Sequence, residues 1–329
     1  MKNLKRKNLK RFLPLVVLLA GSAVLPQAFA QGRPIKFVVP YAAGGAVDVY
    51  ARAVAVPFSK HLNQPVVIEN VGGAGGNIAV ARVAKAAPDG ETLLFHNMAM
   101  ATNPSLYRKL DYDPQNDFDY VGVVAHSIMI MVARRDLPVS ELKQFIPYAR
   151  ANSDKITIGD GGVGGPTNLC ALLFMSAIGT KFTIVSYKGS APALNDVLGG
   201  QIDLLCDSTA TSARHATSGK LKTFGISSKA RLASLPSVPT IAEGGLPGFE
   251  LAPWSGLYAP KGTPRPVIQR LEGALQAAVV DKELATHFDN LGLVLASREM
   301  ATSAGLAAHL KVEIEKWGVL LKKTGVQLD

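Results

Sequence analysis

Four times along this chain a short apolar run ends in a glycine-rich loop that opens straight into a helical segment. The runs are "IKFVVP" (35–40), "PVVIEN" (65–70), "KITIGD" (155–160) and "FTIVSYKG" (182–189). Their loops read "YAAGG", "VGGAGGN", "GGVGGPT" and "YKGSAP". Strands that alternate with helices bury their apolar runs in a sheet covered on both faces, so the pattern demands an α/β fold with parallel strands. In such an open sheet the carboxyl ends of the strands share one crevice, where ligands bind. Glycine leaves backbone N–H groups bare, and the helix behind each loop adds the positive end of its dipole. Junctions of this kind predict a site for an anion, a carboxylate above all.

The rest of the chain extends the alternation. Helices are predicted over 46–62 and 76–87, and a strand over 91–97. "YVGVVAHSIMIMVAR" (120–134) reads as long β-structure able to leave one domain and enter another. A second series follows, with helices over 141–151, 167–179 and 191–200 and strands over 201–207, 221–228 and 254–260. Two long helical stretches, with apolar positions three and four apart, close the chain as cover for a sheet.

The N-terminus sets the compartment. The first eleven residues carry six positive charges and no acid, then comes the apolar stretch "FLPLVVLLAGSAVLP" and an A-x-A pattern at Ala28, Phe29 and Ala30. This is the order of a secretory signal over residues 1–30, cleaved before Gln31, with a periplasmic mature chain. Six of the 35 Lys and Arg leave with it, so 29 face 25 acids and the balance falls from +10 to +4. No basic cluster with interleaved aromatics remains, which argues against nucleic acid as a partner. Cys170 and Cys206 are the only cysteines, and in an oxidising compartment one pair reads as a disulfide.

Catalytic and cofactor patterns are thin. Gly159, Gly161 and Gly164 formally match a dinucleotide fingerprint, but no acid lies between Asp160 and Asp196 to hold a ribose. The six histidines show no metal-ligand spacing, so no metal and no cofactor is expected. His96, at a strand end, either faces the crevice or is a satisfied buried histidine. Asp48 is either a first-turn residue at a helix N-terminus or a water-mediated or cation-facing contact, and Asp207 carries the same ambiguity.

The stretch "PYAAGGAVDVYAR" resembles the P-[FY]-x-x-G-G-x-x-D-x-x-A-R signature of the Bug family, the periplasmic substrate-binding proteins of tripartite tricarboxylate transporters. "VVIENVGGAGGNIA", "GVGGPTNLCALLF", "YKGSAPALNDVLGGQIDLLCDSTATS", "LYAPKGTP" and "EKWGVLLKKTGVQLD" are similar to further family blocks, in family order along nearly the whole mature chain. The resemblance implies a type II periplasmic-binding-protein fold, two α/β domains joined by a hinge around a ligand cleft. Domain one would hold residues 31–126 and 251–329, and domain two residues 127–250. It implies a ligand site at Tyr41, Ala42, Ala43, Gly44, Gly45 and Asp48, and at Gly73, Ala74, Gly75, Gly76 and Asn77. From domain two it implicates Gly162, Val163, Gly164, Thr167, Tyr187, Lys188 and Asp207. Gly165 to Asn168, and Ser208-Thr209 after Asp207, depart from the family pattern at positions where specificity is set.

The expected function is capture, by a monomer, of a small di- or tricarboxylate for an inner-membrane permease, without chemistry. An aromatic carboxylate such as terephthalate or a pyridine carboxylate is the alternative ligand. An exported α/β hydrolase is the alternative class, but no nucleophile, base and orienter can be assembled. A signalling receptor in place of the permease stays open.

Overall fold

The computed structural model of the protein describes residues 33–322. The signal segment over 1–30 and its cleavage before Gln31 lie outside the described residues.

Two sheets organise the described chain. The first has the order β11-β4-β10-β3-β1-β2, formed by β1 (Ile35–Val39), β2 (Val66–Asn70), β3 (Thr92–Asn97), β4 (Phe118–Ser127), β10 (Trp254–Pro260) and β11 (Leu293–Leu295). The second has the order β7-β6-β8-β5-β9, from β5 (Met129–Arg134), β6 (Thr157–Asp160), β7 (Thr183–Ser186), β8 (Leu204–Ser208) and β9 (Leu221–Ile226). The expected parallel pairing holds where a helix crosses between strands, in β2-β1-β3 and β7-β6-β8. The remaining pairs are antiparallel, because β4, β5 and β10 reach their neighbours by passing between the sheets rather than by a crossover helix.

The long β-segment predicted over 120–134 does leave one sheet for the other. It breaks at Ile128, with β4 in the first sheet and β5 in the second. The chain returns just before Trp254, and the two passages run side by side. The Ser127 amide donates to the Pro253 carbonyl at 2.7 Å, and Ser227 ties Met129 to Leu251 through its hydroxyl.

Helix α1 (Ala46–Leu62) buries Val47, Tyr50, Ala51, Val54 and Phe58 at three- and four-residue spacing, and Phe58 meets Phe37 of β1 edge to face. Burying one such ring contributes about 2–3 kcal/mol. Helices α2 (Asn77–Ala84), α8 (Arg265–Ala278) and α9 (Lys282–Leu291) complete this lobe together with α3 (Ala99–Leu106) and α10 (Ser303–Lys322). The long stretch read as one helix is α8 and α9, parted at Asp281, whose side chain caps α9 by accepting from the Leu284 amide. The second lobe carries α4 (Leu142–Ala151), α5 (Pro166–Ile178), α6 (Ser190–Leu198) and α7 (Thr209–Thr217). Its core is stapled by the Cys170–Cys206 disulfide, which fastens α5 to β8.

Candidate ligand-binding cavity

Each glycine loop is held by its own acid or carbonyl before it meets anything else. In the first loop Asp48, 2% exposed, accepts from the Gly44 amide at 2.8 Å, from Arg52 at 2.9 Å and from Asn70 at 3.0 Å. Burial pushes its carboxyl up, but Arg52 and the amide donors outweigh burial and hold it below the usual carboxylate range. In the third loop Asp160, fully buried, accepts from the Gly162 amide at 2.8 Å, from Asn168 at 2.8 Å and from Ser186 at 3.0 Å. No cation answers it, and burial raises its carboxyl.

The loops then face one another across the two lobes. The Ala42 amide donates to the Lys188 carbonyl at 2.9 Å, and the Ala46 amide to the Ser190 hydroxyl at 3.3 Å. Thr102 donates to the Gly164 carbonyl at 2.7 Å. A Cβ on Gly75, whose φ is +62°, would stand 2.7 Å from the Val163 carbonyl oxygen. One on Gly189 would stand 2.8 Å from the Ala42 nitrogen. Such distances admit no side chain, so glycine here serves the approach of backbone to backbone.

Between the lobes lies a cavity of about 40 Å³. Tyr41, Gly45, Thr167 and Asp207, all expected from the sequence, line it. Ser208, named above as a departure from the family pattern, lines it too, and Tyr50, Asn97, Ser190 and Trp254 line it without having been singled out. Tyr50 followed from the buried stripe of α1, and Ser208 had the residue type of a helix N-cap, which it is. Asn97 and Trp254 carry no comparable local signal. The Tyr41 hydroxyl donates to Asn97 at 3.2 Å, the Thr167 hydroxyl accepts from the Gly161 amide at 2.7 Å, and the Tyr50 and Ser208 hydroxyls bond across the lobes. Trp254 is anchored from behind by Glu313 of α10, which accepts from its indole at 3.3 Å.

The remaining candidates sit around the cavity rather than on its wall. Ala42, Ala43 and Gly44 form the turn before α1, with Asp48 spent on bracing it. Gly73, Ala74, Gly75 and Gly76 form a turn that packs on Val163 and on Gly162 of the third loop. Asn77 accepts from Asn103 and Tyr112, both at 2.7 Å. Gly164 backs onto Asn103 and Thr102. His96 is buried, its Nδ1 accepts from the Asn97 amide, and burial lowers its pKa to about 3. The Tyr187 hydroxyl donates to Asp196 at 2.6 Å, and Lys188 is exposed, offering its carbonyl rather than its ammonium to the first loop.

Four helix N-termini converge on this cavity, those of α1, α5, α6 and α7, through Gly45, Gly165, Ser190 and Ser208 on its wall. The first three have glycine N-caps and no side-chain cap from their own N-cap residue; α5 opens on Pro166, which has no N–H, and the Ala46 amide of α1 is met by Ser190 of the other lobe. Among the described residues no Lys, Arg or His lines the cavity. What faces a ligand is therefore the partial positive charge of the helix ends and hydroxyl groups, opposed at one point by the Asp207 carboxyl. Among the described residues no group of acids, histidines and cysteines is arranged to hold a metal, and no helix is long and apolar enough to cross a membrane.

A cavity closed between two α/β lobes, with helix N-termini aimed at it from both sides, defines a solute-binding protein of the periplasmic binding class. The comparisons place it more narrowly. The family profile of the tripartite tricarboxylate transporter family receptor, TctC, matches residues 50–326. The chain is 40% identical to the periplasmic binding protein BugD, over 90% of this chain and 98% of that one, with a TM-score of 0.87. It is 34% identical to MatC from Rhodopseudomonas palustris, solved with bound malate, over 87% of this chain and 98% of that one, with a TM-score of 0.83. It is 32% identical to the R. palustris protein Rpa4515, solved with adipate, over 90% and 98% of the chains, with a TM-score of 0.85. The protein belongs to the TctC receptor family, a family of solute receptors and not of enzymes.

Proposed function

We propose that the protein captures a small di- or tricarboxylate in the periplasm and delivers it to the inner-membrane permease of a tripartite transporter. The carrying observation is the convergence of four helix N-termini from both lobes on a cavity that no cationic side chain lines. A carboxylate leaving water needs several donors to offset its desolvation. The Thr167 hydroxyl and the starts of α1, α5, α6 and α7, with their dipoles, contribute to such a set. The likeness to proteins solved with malate and with adipate supports the same class. The order of the N-terminal residues supports export, with residues 1–30 as the signal and cleavage before Gln31.

In this reading residues 31–126 and 251–329 form one domain, residues 127–250 the other, and the paired passages at Ser127 and Pro253 are the hinge. The ligand bridges the lobes and shifts an open–closed equilibrium, and the permease recognises the closed form. The loop residues from Tyr41 to Gly45 and from Gly73 to Asn77 shape the cleft, and Gly162 to Thr167 close on them. A cavity of about 40 Å³ is far below the ~150 Å³ of an apolar core cavity that binds benzene. Any di- or tricarboxylate, aliphatic or aromatic, would therefore hold the lobes further apart than they stand here.

A thermal-shift screen of the purified protein against aliphatic and aromatic carboxylates tests this. At 100 times its Kd a ligand adds about 2.7 kcal/mol of stability. A shift from an uncharged metabolite and from no carboxylate overturns the reading. Gly45→Asp sets a carboxylate at the start of α1 without backbone strain, since φ there is −76°. That variant should fold and lose binding, and unchanged affinity would remove the α1 terminus from the site.

A further inference from the structure

Behind the cavity, β10 and α10 hold a cluster of side chains that ligand capture by the glycine loops does not use. Trp254 lines the cavity at 1% exposure and opens β10, next to Pro253 in the returning passage between the sheets. The indole N–H is the one polar group of its side chain, a donor only. That donor goes to Oε2 of Glu313 at 3.3 Å. The same oxygen accepts from the Trp317 indole at 2.9 Å, and Oε1 accepts from Lys316 at 2.9 Å. One turn earlier on α10, His309 stands edge-on to the Trp254 indole, with ring centroids 4.7 Å apart. His126, next to last in β4, meets His309 in the same manner at 6.0 Å.

Glu313 is itself buried, and burial pushes its carboxyl up. Lys316 and the Trp317 indole outweigh burial and hold it below the usual carboxylate range. It therefore meets Trp254 as an anion, and a hydrogen bond to an anion is stronger than one between neutral groups. A buried indole N–H without an acceptor is costly, so a Trp254 deprived of Glu313 would turn or withdraw until its N–H found a partner. Held as it is, the indole spends its polar atom on α10 and offers the cavity carbon alone.

We infer that Glu313 is a positioning residue for ligand binding, which fixes the Trp254 indole as an apolar wall for the hydrocarbon part of the ligand. On the carboxylate reading above, on which this assignment rests, helix ends grip the charged group and Trp254 takes the carbon skeleton. Burial of that skeleton against carbon is favourable, and a wall anchored in advance lowers the ordering cost of binding.

Trp254 and Trp317 are the only tryptophans, so a Trp317→Phe background leaves Trp254 as the sole emitter. There, without ligand, Glu313→Ala should shift the Trp254 emission to the red and at least double its quenching by acrylamide. Glu313→Gln keeps an acceptor oxygen and should restore both readings. Affinity is then measured by calorimetric titration, with whichever of succinate, malate, adipate, citrate and terephthalate gives the largest thermal shift. Within the same background Glu313→Ala should weaken binding at least tenfold, and Glu313→Gln should recover it to within threefold. Trp254→Leu, made in the natural sequence, should also lose at least tenfold, and Glu313→Ala added to it should cost less than a further twofold. Unaltered emission and quenching in Glu313→Ala overturn the assignment, as does full affinity in that variant. Full affinity in Trp254→Leu overturns it even if Glu313→Ala fails to fold. These failures leave the carboxylate reading standing, whereas no thermal shift from any of the five acids overturns both.

Discussion

Asp48 and Asp207 are both buried acids at the start of a helix beside the cavity, one from each lobe, yet the protein treats them oppositely. Asp48 has a guanidinium, an amide and a carboxamide around it and sits below the ordinary carboxylate range. Asp207 has only neutral donors, keeps one oxygen unpartnered and is pushed up. The first therefore fastens a loop, and the second stays available. Lobe two also carries a covalent tie, the disulfide that joins α5, which presents Thr167, to β8, which presents Asp207. Lobe one has no such tie among the described residues.

The contrast can be broken in graded steps. The largest change in stability should come from replacing Cys170 and Cys206 by Ser together. The bridge spans 36 residues, worth about 4 kcal/mol in the chain-entropy model and commonly ~2–4 kcal/mol in practice. Urea unfolding followed by far-UV circular dichroism reads that loss, and an unchanged midpoint would mean the tie contributes nothing. Next, Gly75→Val puts a branched side chain at positive φ against the Val163 carbonyl and should wedge the lobes apart. Affinity for a carboxylate should fall roughly 100-fold, about 2.7 kcal/mol, and the melting temperature should fall as well, because the branched residue is strained at positive φ and meets Tyr107 in its own lobe. Retained affinity would show that closure does not need that contact.

The two acids then give smaller effects of opposite sign in pH. Asp48→Asn should destabilise by about 1–2 kcal/mol at pH 7. Because the folded pKa of Asp48 is depressed, its contribution is present above the unfolded value near 3.8 and is lost as pH falls through the folded value. The difference between variant and wild type should therefore shrink on acidification. Asp207→Asn should stay within about 1 kcal/mol of wild type at pH 7. Its folded pKa is raised, so the wild type carries a penalty at neutral pH that is relieved as pH falls through that raised value. Differences in melting temperature from wild type, followed from pH 7 down to about pH 2, that move in the same direction for both variants would dissolve the contrast.

Much of the fold was legible in order. The strands at 35–39 and 66–70 and the helix at 46–62 fall where the apolar runs and the glycines place them. The missed elements have physical reasons. Helix α3 contains Pro104 and has no apolar stripe, so its sequence carries no helical period. Helix α7, "TATSARHAT", is short and polar and starts on a serine cap. Strand β11 is a three-residue edge that exists only because β4 offers a partner. At the site, the sequence located the loops but not their orientation. Thr167 and Asp207 reach the cavity wall, whereas the side chains of Asp48, Asn77 and Tyr187 are spent on Arg52, on Tyr112 with Asn103, and on Asp196.

By itself the sequence determined the alternation of strands and helices, the positions of the glycine turns and the pair of cysteines, because these follow from local periodicity, backbone freedom and residue count. Only the tertiary structure decided that the glycines serve contact between two lobes, and that Tyr50, Ser190, Ser208 and Trp254 share a wall with Tyr41. It also decided that one oxygen of Asp207 is left without a partner. Those facts depend on distances between residues far apart in the chain, and such distances are set by how the lobes pack rather than by any local preference.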